Sequence, residues 1–401
     1  MRHPLDLIIL VIFASMVGIP LHAEEPDKRY LWPAGGFVYT EATITPTKAR
    51  ELARQHHVLT LLNVSELSVD VARNLVTPYE DTFLTFPSLE KLDVQAAKAL
   101  SHRPGYLRLW GLKTLTPEVG AALGSRVGQD LELTGVREIS PEVARALAGG
   151  KRWAIELGLR SISAEVAAAL SKFQGEIYLP ELEAVSVDVA VAFQTHRSYL
   201  DLGKAKISTE VAEILLLHDG DVGMMGVARL EPGVGDILAR HKSEIRLMLE
   251  EIDSVALAKK MFAANHGSSS VCNLRTMTPE IAAEYAIQDP GYLKRLDSLS
   301  LEAARELAKG RQDLDFPAIT CLTPELSKAL TDRKPAVYLI GIKSLEGEDG
   351  LRVAEVLAST PAPVYLEFLE RVSPAALAAL RKKSTIKLPP DKELTIISEN
   401  K

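Results

Sequence analysis

Three histidines recur at one fixed spacing in this chain. His196, His218 and His241 each stand 11 positions after an aliphatic residue, namely Val185, Ile207 and Leu230. If those aliphatics mark successive structural units, the imidazoles stack in a column. Such a column has two readings. Imidazole suits zinc, copper or nickel, so it could hold a transition metal. It could instead complement the negative end of a helix in each unit. Arg126 and Arg333 fall in the same slot, so the second reading covers more of the chain, and no cofactor is expected. The carboxylates are equally ordered. Glu118, Glu142, Glu165 and Glu210 follow a Ser or Thr by two positions, where the positive end of a helix favours them without catalysis. No phosphate-binding glycine loop, zinc-protease helix, nucleophile elbow or paired-cysteine motif occurs. The chemistry expected is therefore binding rather than catalysis.

The elements that must position these residues form a repeat of about 23 residues, running from residue 44 to residue 383. Each unit opens with apolar alternation, as in Leu107-x-Leu109, Leu131-x-Leu133, Ile177-x-Leu179, Val337-x-Leu339 and Val364-x-Leu366. Period two predicts a short strand with one buried face. The unit then turns at an aliphatic corner such as Leu115 or Ile139 and begins a helix at Ser or Thr, often followed by Pro-Glu. The hydroxyl serves as N-cap, and Pro suits the first helical position. About 15 such corners run from Ile44 to Val372, and a repeat that buries its apolar face only against its neighbours makes a solenoid. The fold class is thus α/β: one elongated solenoid with a parallel strand face and a helical outer face. From Leu131 onward, six consecutive units alternate between 8 and 7 positions from first strand residue to corner. Alternate corners should therefore differ in backbone path.

The ends read differently. Residues 1–23 carry Arg2 and His3, an apolar run from Leu7 to Leu21, and Ala23 before Glu24. That pattern predicts a cleaved secretory signal, an uncleaved N-terminal anchor being the alternative. A secreted or periplasmic location follows, with no membrane span in the mature chain. Residues 24–43, with Tyr30-Leu-Trp-Pro and Phe37-Val-Tyr, are a cap or a linker, and residues 384–401 a capping tail. Asn63-Val-Ser is a formal glycosylation sequon inside a predicted strand. The net charge of −7 is spread rather than blocked, so no nucleic-acid surface is expected. Cys272 and Cys321 lie two units apart, beyond the reach of about 7 Å that a disulfide allows, so two free, partly buried thiols are expected.

Leu-x-Leu strand, aliphatic corner and short helix at this period resemble the leucine-rich repeat superfamily, and the Ser/Thr-Pro-Glu-Val-Ala helix resembles a bacterial variety found in secreted or envelope proteins. The resemblance implies ligand or protein binding, usually on the strand face. One departure stands out. Where the family places an Asn that ties adjacent turns together, this chain has Val64, Leu89, Leu112, Val136, Leu182, Val227, Ile319, Ile342 and Leu369. On the strand face the outward positions are Arg108, Trp110, Glu132, Tyr178, Asp201, Arg246, Tyr338 and Tyr365. Aromatics and Arg are enriched at interface centres, so these are the candidate binding residues for a protein or envelope ligand, with Trp110 and Tyr178 as anchors. The alternative function is a self-associating structural element of the envelope.

Overall fold

The computed structural model describes residues 36–263, 273–288 and 293–397. Residues 1–23, expected to be a secretory signal, most of the 24–43 flank and Cys272 lie outside the described residues. Ten strands, from Phe37–Tyr39 to Ile245–Leu247, pair in chain order and all in parallel. Each is two to four residues long and is followed by a helix that returns the chain to the start of the next strand. The inward residues align without a slip: Leu84, Leu107, Leu131, Ile155, Ile177, Leu200, Val222 and Ile245 face one another across seven successive pairings. A slip of one residue would turn every one of these aliphatics to solvent, so burial fixes the register. A second parallel sheet of four strands begins at Leu314–Asp315 and ends at Ile386–Lys387, and a third of three strands ends at Thr395–Ile396.

The helix starts are those the sequence specifies. Thr45, Ser68, Thr116, Ser140, Ser163, Ser186, Ser208, Ser300, Thr323 and Ser373 are N-caps whose hydroxyls accept from the backbone N–H three residues on. One unit departs. After Leu230 the chain reads Glu-Pro-Gly, Gly233 takes φ 80° as a cap without a side chain, and the helix Val234–Leu238 is only five residues long.

The aliphatic column that stands where an Asn ladder would lie is buried throughout, from Val64 to Leu369. At six of the nine positions, Leu112, Val136, Leu182, Val227, Ile342 and Leu369, the backbone N–H bonds within its own unit. Val136 N–H donates to the Leu133 carbonyl at 3.0 Å, Leu182 to Leu179 at 3.1 Å, and Val227 to Met224 at 3.3 Å. These are the long corners. The short corners are not uniform. After Leu157 and Leu247 the corner runs without such a turn: Gly158 N–H reaches back to Leu133 and Glu250 N–H to Ala228 in preceding units. After Leu202 the turn persists, with Gly203 at φ 60° and Ala205 donating to Leu202. Long and short corners thus differ in path at two of the three short units.

Between Met248 and Asp313 no strand occurs among the described residues, although Leu274, Leu293 and Leu296 remain buried. The corner backbones carry the stack across this stretch: Arg275 N–H donates to the Glu250 carbonyl and Asp297 N–H to Arg275. Cys321 is free and exposed rather than partly buried. It precedes the inward corner residue Leu322, and the alternation sends it outward.

Close stacking also selects glycine. A Cβ on Gly158 would fall onto the Thr134 carbonyl oxygen of the preceding unit. Gly158→Ala should therefore cost more than the roughly 1 kcal/mol expected for removing a helix cap by Ser140→Ala. Urea denaturation of the two variants measures the order, and equal losses would contradict the corner geometry.

Candidate binding face and the helix-exit slot

The strand pairing places most of the candidate residues in one line. Arg108, Glu132, Glu156, Tyr178, Asp201, Gly223 and Arg246 are consecutive register partners across seven strands. Tyr338 and Tyr365 are partners in the second sheet, their rings stacked at 4.2 Å. The two groups belong to different sheets and are not brought together.

These residues leave the aliphatic core as expected, yet they are not free-standing anchors. Arg108, Glu132, Tyr178 and Asp201 are each less than a tenth exposed, because outward side chains cover one another. Arg108 Nε donates to Glu132 Oε1 at 2.8 Å, and Trp110 Nε1 donates to Glu132 Oε2 at 2.8 Å. The Arg108 guanidinium also lies 4.9 Å from the Phe83 ring centroid and 5.5 Å from that of Trp110. Further along, Tyr178 meets Tyr199 edge to face at 5.3 Å and bonds through its hydroxyl to Glu176. Arg246 lies over the Tyr199 ring at 4.6 Å and pairs with Asp221 and Glu244. Gly223 makes this possible, since a Cβ there would meet the Tyr199 ring. Asp201 turns back to its own corner and accepts from Gly203 N–H at 2.8 Å.

Sequence reasoning missed the neighbouring file of residues, one place before each first inward aliphatic: Phe83, Tyr106, Asp130, Glu176, Tyr199, Asp221 and Glu244. Extending the strand alternation back by one residue would have found them. Together with Glu132, Glu156 and Asp201 they form an acidic, tyrosine-bearing strip, bracketed by Arg108 and Arg246. Its field is felt at Asp130, whose carboxyl is pushed up to about 6 by burial and by the carboxylates of Glu132 and Glu176, against the pull of Arg126 and Arg108.

The histidines are buried just ahead of the strands, where each helix exits. His196, His218 and His241 are 1%, 2% and 2% exposed. His218 Nδ1 accepts from Gly220 N–H and His241 Nδ1 from Ser243 N–H, each at 3.1 Å. His196 Nδ1 and Nε2 face the carbonyls of Phe173 and Tyr199 at 3.1 and 3.3 Å. Burial holds all three below the ordinary imidazole value. His196 commits both ring nitrogens to backbone, whereas His218 and His241 commit Nδ1 and leave Nε2 buried without a hydrogen-bond partner among the described residues. Among the described residues, no three His, Cys, Asp or Glu side chains are grouped to hold a metal.

The same slot elsewhere holds cations. Arg103 donates to the Leu75 carbonyl at 3.0 Å, Arg333 to Leu307 at 3.2 Å, and Lys383 to Thr360 and Ala362 at 2.6 and 2.5 Å. Arg126 donates to the carbonyls of Gln129 and Asp130. Burial lowers Arg126 to about 9 and Arg103 to about 10. Where the slot residue is glycine, a side chain two positions on folds into the vacancy. Arg152 lies over Gly150 and reaches Leu147 O at 2.5 Å, and Gln312 lies over Gly310. The cationic members thus supply donors to backbone carbonyls, among them ones at Leu75, Leu307 and Thr360 that a helix end leaves without partners.

A parallel strand ladder, aliphatic corners, capped helices and this file of helix-exit donors define the chain as a leucine-rich-repeat-like α/β solenoid. No protein-family model and no curated protein matches it. Among solved structures it is similar to an internalin from Listeria monocytogenes, at 13% identity and TM-score 0.40 over 84% of this chain and 93% of that one. It is also similar to a leucine-rich-repeat protein of Leptospira interrogans, at 16% identity and TM-score 0.38 over 89% and 96%. A Drosophila Toll structure in complex with Spatzle matches at 10% identity and TM-score 0.38 over 88% and 62%.

Two outcomes follow for the strip. Removing one member of the buried Arg108–Glu132 pair should cost about 3–5 kcal/mol, and the double variant less than the sum of the singles; a double-mutant cycle in urea reads this, and strict additivity would refute the coupling. Asp130 has a raised value, so its folded form keeps a proton better than the unfolded chain and its ionisation is a cost at neutral pH. Asp130→Asn should therefore stabilise the protein near neutrality and lose that advantage as pH falls to the ordinary aspartate range.

Proposed function

We propose that this protein is a secreted or periplasmic binding scaffold without catalytic activity, and that its strand face from Phe83 to Arg246 is the docking surface. The observation that carries the reading is the composite strip itself. Carboxylates of Asp130, Glu132, Glu156, Glu176, Asp221 and Glu244 surround Tyr178 and Tyr199 on one continuous parallel sheet. Rigid aromatics set among charges suit protein recognition, and the sign of the charge favours a partner with basic residues, whose encounter the strip would steer. Packing among the outward side chains holds this surface in one arrangement before a partner arrives, which lowers the ordering cost of binding. Trp110 at one end, and Tyr338 and Tyr365 on the second sheet, are half-buried and supply further contact area.

The alternative, a self-associating envelope element, draws on the terminal strands. Among the described residues, Phe37–Tyr39 and Thr395–Ile396 each pair on one side only, and an open edge can template pairing with another chain.

The test is capture of a partner from envelope and secreted fractions, followed by affinity measurement with the purified pair. Trp110→Ala with Tyr178→Ala should weaken binding by tenfold or more while the far-ultraviolet circular dichroism stays native. Glu156→Gln with Glu244→Gln should weaken it further at low salt than at high salt. Undiminished affinity in both variants would remove the strand face from consideration, and recovery of the bait in concentration-dependent assemblies would favour the envelope element.

A further inference from the structure

The helix-exit file has one property that its position alone does not require. Its cationic members, Arg103, Arg126 and Arg152 on one side and Arg333 and Lys383 on the other, stay protonated across the ordinary pH range. The three consecutive units between Phe173 and Leu247 instead carry imidazoles, whose ordinary titration lies near neutrality and which burial lowers. The rings of His196 and His218 lie 5.8 Å apart, and His218 feels both of its neighbours.

Each ring is wired so that a proton changes its bonding. His218 Nδ1 sits 3.1 Å from Gly220 N–H and 3.0 Å from the Gly220 carbonyl. Neutral, it accepts from the first; protonated, it can only donate to the second, and the N–H is orphaned. His241 stands in the same relation to Ser243, at 3.1 and 3.4 Å. His196 faces two carbonyls and gains a second donor on protonation, but in a buried site. The groups facing the column are few. Asp219 and Asp221 favour the charged form of His218 and His241 respectively, Lys260 opposes it at His241, and His196 and His241 oppose it at His218. The hydrogen bonds of the three rings are to backbone, with Nε2 of His218 and His241 buried and unpartnered among the described residues. Burial outweighs the two aspartates at every ring.

We propose that His196, His218 and His241 form an acid-sensitive segment in the solenoid, whose loosening at low pH unseats Tyr199, Asp221 and Arg246 on the adjoining strands and releases a partner held there. The connection is short: Tyr199 follows His196 by three residues, and Asp221 follows His218 by three. The partner-release half rests on the strand-face function proposed above, whereas the loosening does not. The sign follows from the depressed values. A locally opened state binds the proton better than the packed one, so the segment is fully stable above about pH 6.5 and loses stability as pH falls below it.

Hydrogen exchange of the full chain between pH 8 and pH 5, corrected for intrinsic rates, tests the loosening without a partner. Amides in 196–202, 218–224 and 241–247 should lose protection by up to about tenfold per pH unit for each proton taken up, while 107–133 and 364–387 keep theirs. His218→Gln with His241→Gln should flatten that response. Should this variant fail to fold, titration of the wild-type histidine Cε1–H resonances serves instead, and all three should titrate below the ordinary imidazole value. Unchanged protection, equal loss along the whole array, ordinary titration, or a folded variant with the wild-type acid response would each overturn the proposal. Exchange that behaves as expected beside a strand-face partner whose affinity is the same at pH 5.5 and pH 7.5 would overturn the release step alone.

Discussion

Parallel pairing in strict register is the constraint on which the rest of this molecule depends. A strand of two to four residues has no stability of its own, and here each gains it only by placing its aliphatic residues directly beside those of the previous unit. Once Leu107, Leu131 and Ile155 are aligned, everything attached to them is aligned as well. The corner aliphatics form a buried column, the capped helices pack in parallel, and the outward side chains fall into files. The files are what give the strand face its chemistry, since residues about 23 apart in sequence become neighbours about 4.8 Å apart in space.

The same constraint creates a problem that the helix-exit slot resolves. Short helices returning into the core bring their carbonyl ends with them, and buried carbonyls without partners are destabilising. Arginine and lysine meet that need in several units. Arginine and lysine bring charge into a region that already lowers their proton affinity. Histidine fills the slot as a neutral ring, with its own bend folded onto Nδ1. Three such rings in succession carry no permanent charge, in contrast to Arg103, Arg126 and Arg152 earlier in the same file.

Much of this was legible in the sequence because it was repeated. The Leu-x-Leu alternation gave the register, the Ser/Thr caps gave the helix starts, and the 11-residue offset placed the histidines beside Arg126 and Arg333. Single events were harder to read. The helix Val234–Leu238, only five residues long behind Gly233, breaks the capped pattern in its unit while Val234 and Leu238 stay buried, so apolar pattern alone does not reveal it. The outward residues were read singly as exposed, whereas Arg108, Glu132 and Trp110 satisfy one another across units, a relation visible only once register brings them together. The acidic file at Asp130, Glu176, Asp221 and Glu244 lay one residue outside the alternation that had been followed. The anchor role given to Tyr178 meets a ring that is already packed against Tyr199.

The paired solution at Gly150 and Arg152 has a meaning for how such a chain can be rebuilt. The cavity at the helix exit can be filled from its own position or from two positions later, but not from both. Gly150→Arg beside an intact Arg152 would force two guanidinium groups into one space, and Arg152→Ala beside Gly150 would leave the space empty. The units at Gly150 and Gly310 therefore carry a two-site grammar. A unit can be transplanted, duplicated or deleted as a module so long as both positions travel together, and recombination within that tripeptide is the break the solenoid tolerates least.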